Sequence, residues 1–137
     1  MVLASLVPGL LLVAIVFDLT RRLYGYTAAR IAGIIAALHP RLVEYSVNGY
    51  AETFYLCCAV LALWGICTLW NRPRNLLAII AAGLGLAGWI LVRNEAIVFA
   101  GFAMLTGLYL GRDRIADLGP ACLKVGLICM AMIVAYA

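Results

Sequence analysis

Three glutamates stand out in this strongly apolar chain: Glu44, Glu52 and Glu95. The chain has 137 residues, of which 67% are hydrophobic and only 6 are acidic. A carboxylate at the edge of a bilayer is costly, so it is usually retained for a function or for a charged partner. It can hold an arginine, bind a cation or accept a proton from a hydroxyl group. We therefore take these three residues as candidates for a functional site.

Other polar side chains accompany the glutamates. His39 and Asn48 flank Glu44, and Arg93 precedes Glu95 by two positions. An arginine binds phosphate bidentately, so a carboxylate and a guanidinium at a membrane surface suit a substrate with a phosphate in the headgroup region. In a continuous helix, Glu44, Asn48 and Glu52 would share a face, because their spacing is i, i+4, i+8. A helix break at the intervening glycine would interrupt this stripe.

Structural explanations for the same residues stay open. Glu52 opens an apolar segment and Glu95 precedes another, and the helix dipole favours an acidic residue at either place. Arg93 with Glu95 could simply cap two neighbouring helices. A lone histidine such as His39 more often packs at an interface than acts on a substrate.

Composition predicts an all-α, polytopic transmembrane bundle. Charged residues make up 12% of the chain, about half of the roughly 25% typical of soluble domains, and mean hydropathy is +1.10. Apolar runs of helical length recur, and none shows the alternation of a membrane barrel. The net charge of +4 does not indicate nucleic-acid binding, because the basic residues lie in short loops between apolar runs. The 5 cysteines lie within apolar runs without metal-binding spacing, and we interpret them as reduced packing residues.

The whole chain, residues 1–137, reads as a single transmembrane domain with about six spans. The predicted spans are about 2–17, 28–47, 51–70, 76–92, 96–110 and 120–137. The apolar part of the second span ends at Leu38 and is too short to cross, so it must continue past Pro40 as a kinked helix or a re-entrant segment. The literal G-x-G-x-x-G at residues 83–88 has no preceding strand, so we interpret it as a small-residue helix face that permits close packing.

The distribution of basic residues orients the spans. With the loop of Arg21 and Arg22 in the cytoplasm, eight of the 10 basic residues lie on the cytoplasmic side, and only Arg41 and Arg93 lie outside. The three glutamates then gather at the extracytoplasmic face of a cell-membrane protein. Because both ends of the chain stop without a flanking loop, we expect a piece of a longer polytopic protein.

Four short stretches together carry a family resemblance. They are residues 21–30 (RRLYGYTAAR), 38–40 with Glu44 (LHP, then E), 49–54 (GYAETF) and 83–95 (GLGLAGWILVRNE). In this order and spacing they resemble the lipid-phosphate-sugar glycosyltransferases of the GT-C fold, which include the protein-mannosyltransferase and aminoarabinose-transferase-like families. The resemblance covers about residues 10–110.

The resemblance implies a membrane enzyme that transfers a sugar from a polyprenyl-phosphate donor to an acceptor lipid, glycan or protein at the outer face. It implies catalytic roles for Glu52 and Glu44, and substrate-binding roles for Arg93, Glu95 and the pair His39 and Asn48. The donor phosphate would lie near Arg93, and a divalent cation is one conceivable cofactor.

Two departures from the family pattern matter. The first outer loop of the family, which bears an essential acidic residue, would precede Met1, so we expect this chain alone to be inactive. Asn94 stands where the family commonly has proline.

Two other classes compete with the transferase. A transporter or permease subunit would place ionisable residues at mid-membrane depth, and the predicted third, fourth and fifth spans have no charges between their ends. A non-catalytic membrane scaffold would account for the split of basic residues but not for three glutamates on one side.

Overall fold

The computed structural model describes residues 2–48, 51–92, 97–98, 101 and 115–136, and within these ranges the chain is all-helical. Its helices are α1 (Val2–Tyr24), α2 (Tyr26–Leu38), α3 (Pro40–Asn48), α4 (Ala51–Asn71), α5 (Leu76–Val92) and α6 (Ile115–Tyr136). The predicted fold class is confirmed. Two helical segments, Ala51–Asn71 and Leu118–Tyr136, are long and apolar enough to cross a membrane, and α2 and α5 are shorter apolar helices. The six-span arrangement stays a prediction.

The first helix continues beyond its apolar segment because its last turns are stabilised by charge. Asp18 accepts hydrogen bonds from Arg21 at 2.8 Å and from Arg22 at 2.6 Å, one turn further along. Both arginines lie in the last turn, where a cation complements the helix dipole. Gly25 then separates α1 from α2 with a φ of 89°, a left-handed conformation that costs glycine little.

Proline divides the second apolar segment into two helices. His39 ends α2 with an extended backbone (φ −65°, ψ 117°), because the residue before proline is disfavoured in the helical conformation. Pro40 begins α3 at the position where its missing N–H costs no helical hydrogen bond. The His39 carbonyl accepts a hydrogen bond from the Val43 N–H at 3.1 Å. The segment is therefore kinked at the predicted proline.

The remaining helix ends follow local signals. Asn75 caps α5, since its side-chain oxygen accepts a hydrogen bond from the Ala78 N–H at 3.3 Å. The last helix begins at Ile115, five residues before the predicted start of the sixth span at Pro120. Proline near the start of a helix removes only one backbone hydrogen bond, so the turn before it can still be helical.

The chain forms two compact units, residues 1–61 and residues 62–137. In the first unit, α1 packs against α2 and α3, and the rings of Phe17 and Tyr26 meet edge to face with centroids 5.9 Å apart. In the second unit, α5 packs against α6 around a small-residue core. One cluster of buried core residues in this unit consists of Leu69, Ala78, Ile79, Ala82, Ala121 and Val125.

Candidate functional site

Helix α3 carries two of the predicted site residues on one face. Glu44 and Asn48 are spaced i, i+4, and both side chains are exposed. None of the residues of this short helix is buried. The carboxylate of Glu44 and the amide of Asn48 are therefore available to a ligand from the same side of the helix.

Glu52 lies in α4, whereas Glu44 and Asn48 lie in α3. Residues 49–50, between these two elements, are outside the described residues, so the stripe that would join the three side chains stays a prediction. Glu52 is in the first turn of α4 and is half-buried. The positive end of the helix dipole stabilises its carboxylate there, as expected for the structural explanation of this residue.

His39 has an exposed side chain, and its backbone carbonyl accepts the first hydrogen bond of α3. It lies at the junction of α2 and α3, five residues before Glu44 in sequence. Its backbone carbonyl starts the hydrogen bonding of α3, so His39 marks the point from which α3 presents its polar face.

Arg93 and Glu95 lie outside the described residues. Helix α5 ends at Val92, immediately before Arg93 in sequence. The pairing of these two residues with each other, and their proximity to Glu44 or Glu52, stay predictions.

A junction that the sequence analysis missed supports the start of α4. Three small residues from three helices meet here: Gly9 of α1, Ser46 of α3 and Thr53 of α4. A Cβ on Gly9 would collide with Ser46 Oγ and lie 3.6 Å from Thr53 Cγ2. Ser46 Oγ donates a hydrogen bond to the Leu42 carbonyl at 2.7 Å. The close approach is therefore between Gly9 and Ser46, and Thr53, the residue after Glu52, lies beside it.

The signal that could have revealed this junction is Gly9 itself. A glycine inside an apolar helical pattern often marks a close approach of another backbone or side chain. Thr53, directly after Glu52, is fully buried, and its hydroxyl has no hydrogen-bond partner within the described structure. The burial of Thr53 could not be inferred from the local sequence.

The described residues contain no group of three or more His, Cys, Asp or Glu side chains that could hold a metal ion. Glu44 and Glu52 therefore do not complete a cation site with other described side chains. What the described residues offer is an exposed carboxylate and amide on α3, a second carboxylate at the start of α4 and an imidazole between α2 and α3.

Comparison with known families decides among the classes left open above. A family model described as dolichyl-phosphate-mannose-protein mannosyltransferase matches residues 1–136. The chain belongs to this family. Its members are membrane-embedded glycosyltransferases of the GT-C type that use a lipid-linked sugar donor. No curated protein and no solved structure matches the chain.

Family membership favours the transferase over the transporter and the scaffold. The match covers all four stretches that carried the resemblance, including the residues around Arg93 and Glu95. It identifies the reaction class, whereas the roles of individual side chains remain hypotheses drawn from their chemistry.

Proposed function

We propose that this chain contributes to the transfer of a sugar from a polyprenyl-phosphate donor to an acceptor hydroxyl at the extracytoplasmic face of the membrane. The observation that carries the proposal is the family match over residues 1–136. It is supported by the exposed polar face of α3, which carries Glu44 and Asn48 beside the start of α4 in sequence. The split of basic residues assigns that face to the outer side.

Arg93 is proposed to bind the phosphate of the donor. A guanidinium donates two parallel hydrogen bonds to phosphate, and it stabilises the charge that grows on this leaving group as the sugar departs. Glu95, two residues further, is proposed to orient Arg93 by pairing with it. Arg93→Ala would therefore weaken both donor binding and the chemical step.

Glu44 and Glu52 are proposed to act on the acceptor. The acceptor hydroxyl attacks the anomeric carbon, the bond from that carbon to the phosphate oxygen breaks, and the phosphate leaves with the electron pair. A carboxylate takes the proton of the attacking hydroxyl. His39 and Asn48 would donate hydrogen bonds to substrate hydroxyls.

The test is a transfer assay with the full-length protein in membranes, with dolichyl-phosphate mannose as the first donor. We expect Arg93→Ala, Glu52→Gln and Glu95→Gln to lower the rate by about 100-fold or more where the residue binds phosphate or moves a proton. Glu44→Gln, measured beside Glu52→Gln, identifies which of the two carboxylates is the base.

Two matched controls accompany these variants. Asp18→Asn removes a carboxylate that is paired with Arg21 and Arg22, and Arg74→Ala removes an arginine from the turn between α4 and α5. Both are assigned to the cytoplasmic side, so both should keep rates close to wild type at equal amounts of folded protein. Wild-type rates for Arg93→Ala, Glu52→Gln and Glu95→Gln together would overturn this site assignment.

A further inference from the structure

The first unit contains an open groove that the proposed transfer site does not use. It lies among α1, α2 and α3 and has a volume of about 710 Å³. Its walls are apolar, with Leu10, Val13 and Phe17 from α1 and Ile34 and Ala37 from α2 among the lining residues. Arg30 is the single charged residue among those that line it.

Arg30 lies at one end of this groove. It is one helical turn before Gly33, and Gly33 faces the ring of Phe17. The opposite end is marked by Gly9, which contacts Ser46 of α3. The groove thus follows α1 from Phe17 towards Leu6, a distance of about 17 Å along the helix.

No acidic side chain among the described residues pairs with Arg30. Arg21 and Arg22 are both paired with Asp18, whereas Arg30 forms no ion pair with the residues that the structure describes. Its side chain is exposed. A guanidinium at the mouth of an apolar groove is complementary to an amphiphile with an anionic, phosphate-bearing head.

The length of the groove matches one lipid chain. About 17 Å of helix is close to one leaflet, which is half of the roughly 30 Å hydrocarbon core. In the orientation predicted from the basic residues, Arg30 lies on the cytoplasmic side, where anionic lipids are enriched. Arg93, proposed for the donor phosphate, is assigned to the opposite side.

We propose that this groove binds an anionic phospholipid of the cytoplasmic leaflet, with the phosphate on Arg30 and one acyl chain along α1. This lipid site is distinct from the donor site, and the phospholipid bound there is not a substrate of the transfer reaction. The alternative occupants are another segment of the chain or a second copy. Either would fill the groove and exclude lipid from it.

The test is native mass spectrometry of the full-length protein in non-ionic detergent, titrated with dioleoyl phosphatidylglycerol or dioleoyl phosphatidylcholine. We expect wild type to bind one phosphatidylglycerol about fivefold more tightly than phosphatidylcholine, the preference that one surface cation provides. Arg30→Gln should abolish that preference. Lys124→Gln, which removes an exposed cation on α6 that does not line the groove, should keep it.

A second pair of variants tests the acyl-chain part of the site. Ala37→Phe places a ring in the groove and should reduce binding of both lipids, whereas Ile35→Phe, at an exposed position outside the groove, should not. Equal binding of both lipids by wild type overturns the proposal. An equal loss of the phosphatidylglycerol preference in Arg30→Gln and Lys124→Gln also overturns it. Unchanged lipid binding in Ala37→Phe overturns it too, because it indicates that protein already fills the groove. Sugar transfer is not the readout, so failure of the proposed transferase reaction leaves this result intact.

Discussion

Residues 1–61 and residues 62–137 form two compact units that pack their helices in different ways. In the second unit, a Cβ on Gly65 of α4 would lie 2.6 Å from the Ala82 nitrogen and 2.8 Å from the Ala78 carbonyl oxygen of α5. The backbones of α4 and α5 therefore approach each other closely at this point. In the first unit, the space beside Gly9 and Gly33 is filled by the side chains of Ser46 and Phe17.

The difference matters because helices in a membrane gain no hydrophobic free energy from leaving lipid for one another. Small residues that allow close backbone approach then supply much of the association through van der Waals contact. The second unit has this kind of interface, whereas the first unit keeps an open groove. All the predicted site residues that the structure describes, His39, Glu44, Asn48 and Glu52, belong to the first unit. Among the described residues, the predicted site residues therefore belong to the unit with the open groove, whereas Arg93 and Glu95 belong to residues 62–137 and are outside the described residues.

The largest expected effect is that of Gly65→Ala. A single methyl group would collide with the backbone of α5, which cannot rotate away, so α4 and α5 must separate. We expect the free energy of unfolding to fall by about 3 kcal/mol, the upper end of the range for overpacking. Reversible unfolding in mixed micelles, followed by far-ultraviolet circular dichroism, measures this loss.

The matched control for that substitution is Gly126→Ala on α6. No atom lies within 4 Å of the position that its Cβ would take. Since alanine is a better helix former than glycine, stability should stay unchanged or rise by up to about 1 kcal/mol. An equal loss in both variants would show that the close approach at Gly65 is not what holds α4 and α5 together.

Local signals predicted the helix break at Pro40 but not the contacts between helices. Pro40 predicted the kink after Leu38, because proline acts on its immediate neighbours. The small-residue face at residues 83–88 predicted close packing, and Gly83 does face Ile128 of α6. Sequence alone could not identify the partner helix, because such contacts join residues far apart in the chain.

The candidate site shows the same limit. The residue types and the i, i+4 spacing of Glu44 and Asn48 were predictable, and both are exposed on α3. The extension of that stripe to Glu52 depends on a continuous helix through residues 49–50, which are outside the described residues, so it stays a prediction. The groove with Arg30 was not predicted, because it is built from three helices whose arrangement no local pattern specifies.

A smaller effect is expected at Gly9, where a side chain can yield. Gly9→Ala would collide with Ser46 Oγ, the end of a short side chain, and should cost about 1 kcal/mol of unfolding free energy. Ser46→Ala removes that oxygen, so the double variant should recover most of the loss. A double-mutant cycle measures the coupling, which should be about 1 kcal/mol. Strictly additive costs would mean that the two residues do not share this contact.

Effects of about 1 kcal/mol or less are expected at two buried threonines of α4, one in each unit. Thr68 Oγ donates a hydrogen bond to the Trp64 carbonyl at 2.8 Å, whereas the Thr53 hydroxyl has no partner within the described structure. Valine has nearly the shape of threonine but no hydroxyl. Thr68→Val should therefore cost about 1 kcal/mol, and Thr53→Val should be neutral or slightly stabilising, because it removes a buried polar group that makes no hydrogen bond.

Unfolding of the two variants under identical micelle conditions gives the comparison directly. A clear loss of stability in Thr53→Val would show that its hydroxyl is satisfied in the membrane, by water or by a ligand at the start of α4. That result would bring Thr53, the residue next to Glu52, into the candidate site. A neutral result would make Thr53 a packing residue, whose methyl group lies 3.6 Å from the position that a Cβ on Gly9 would take.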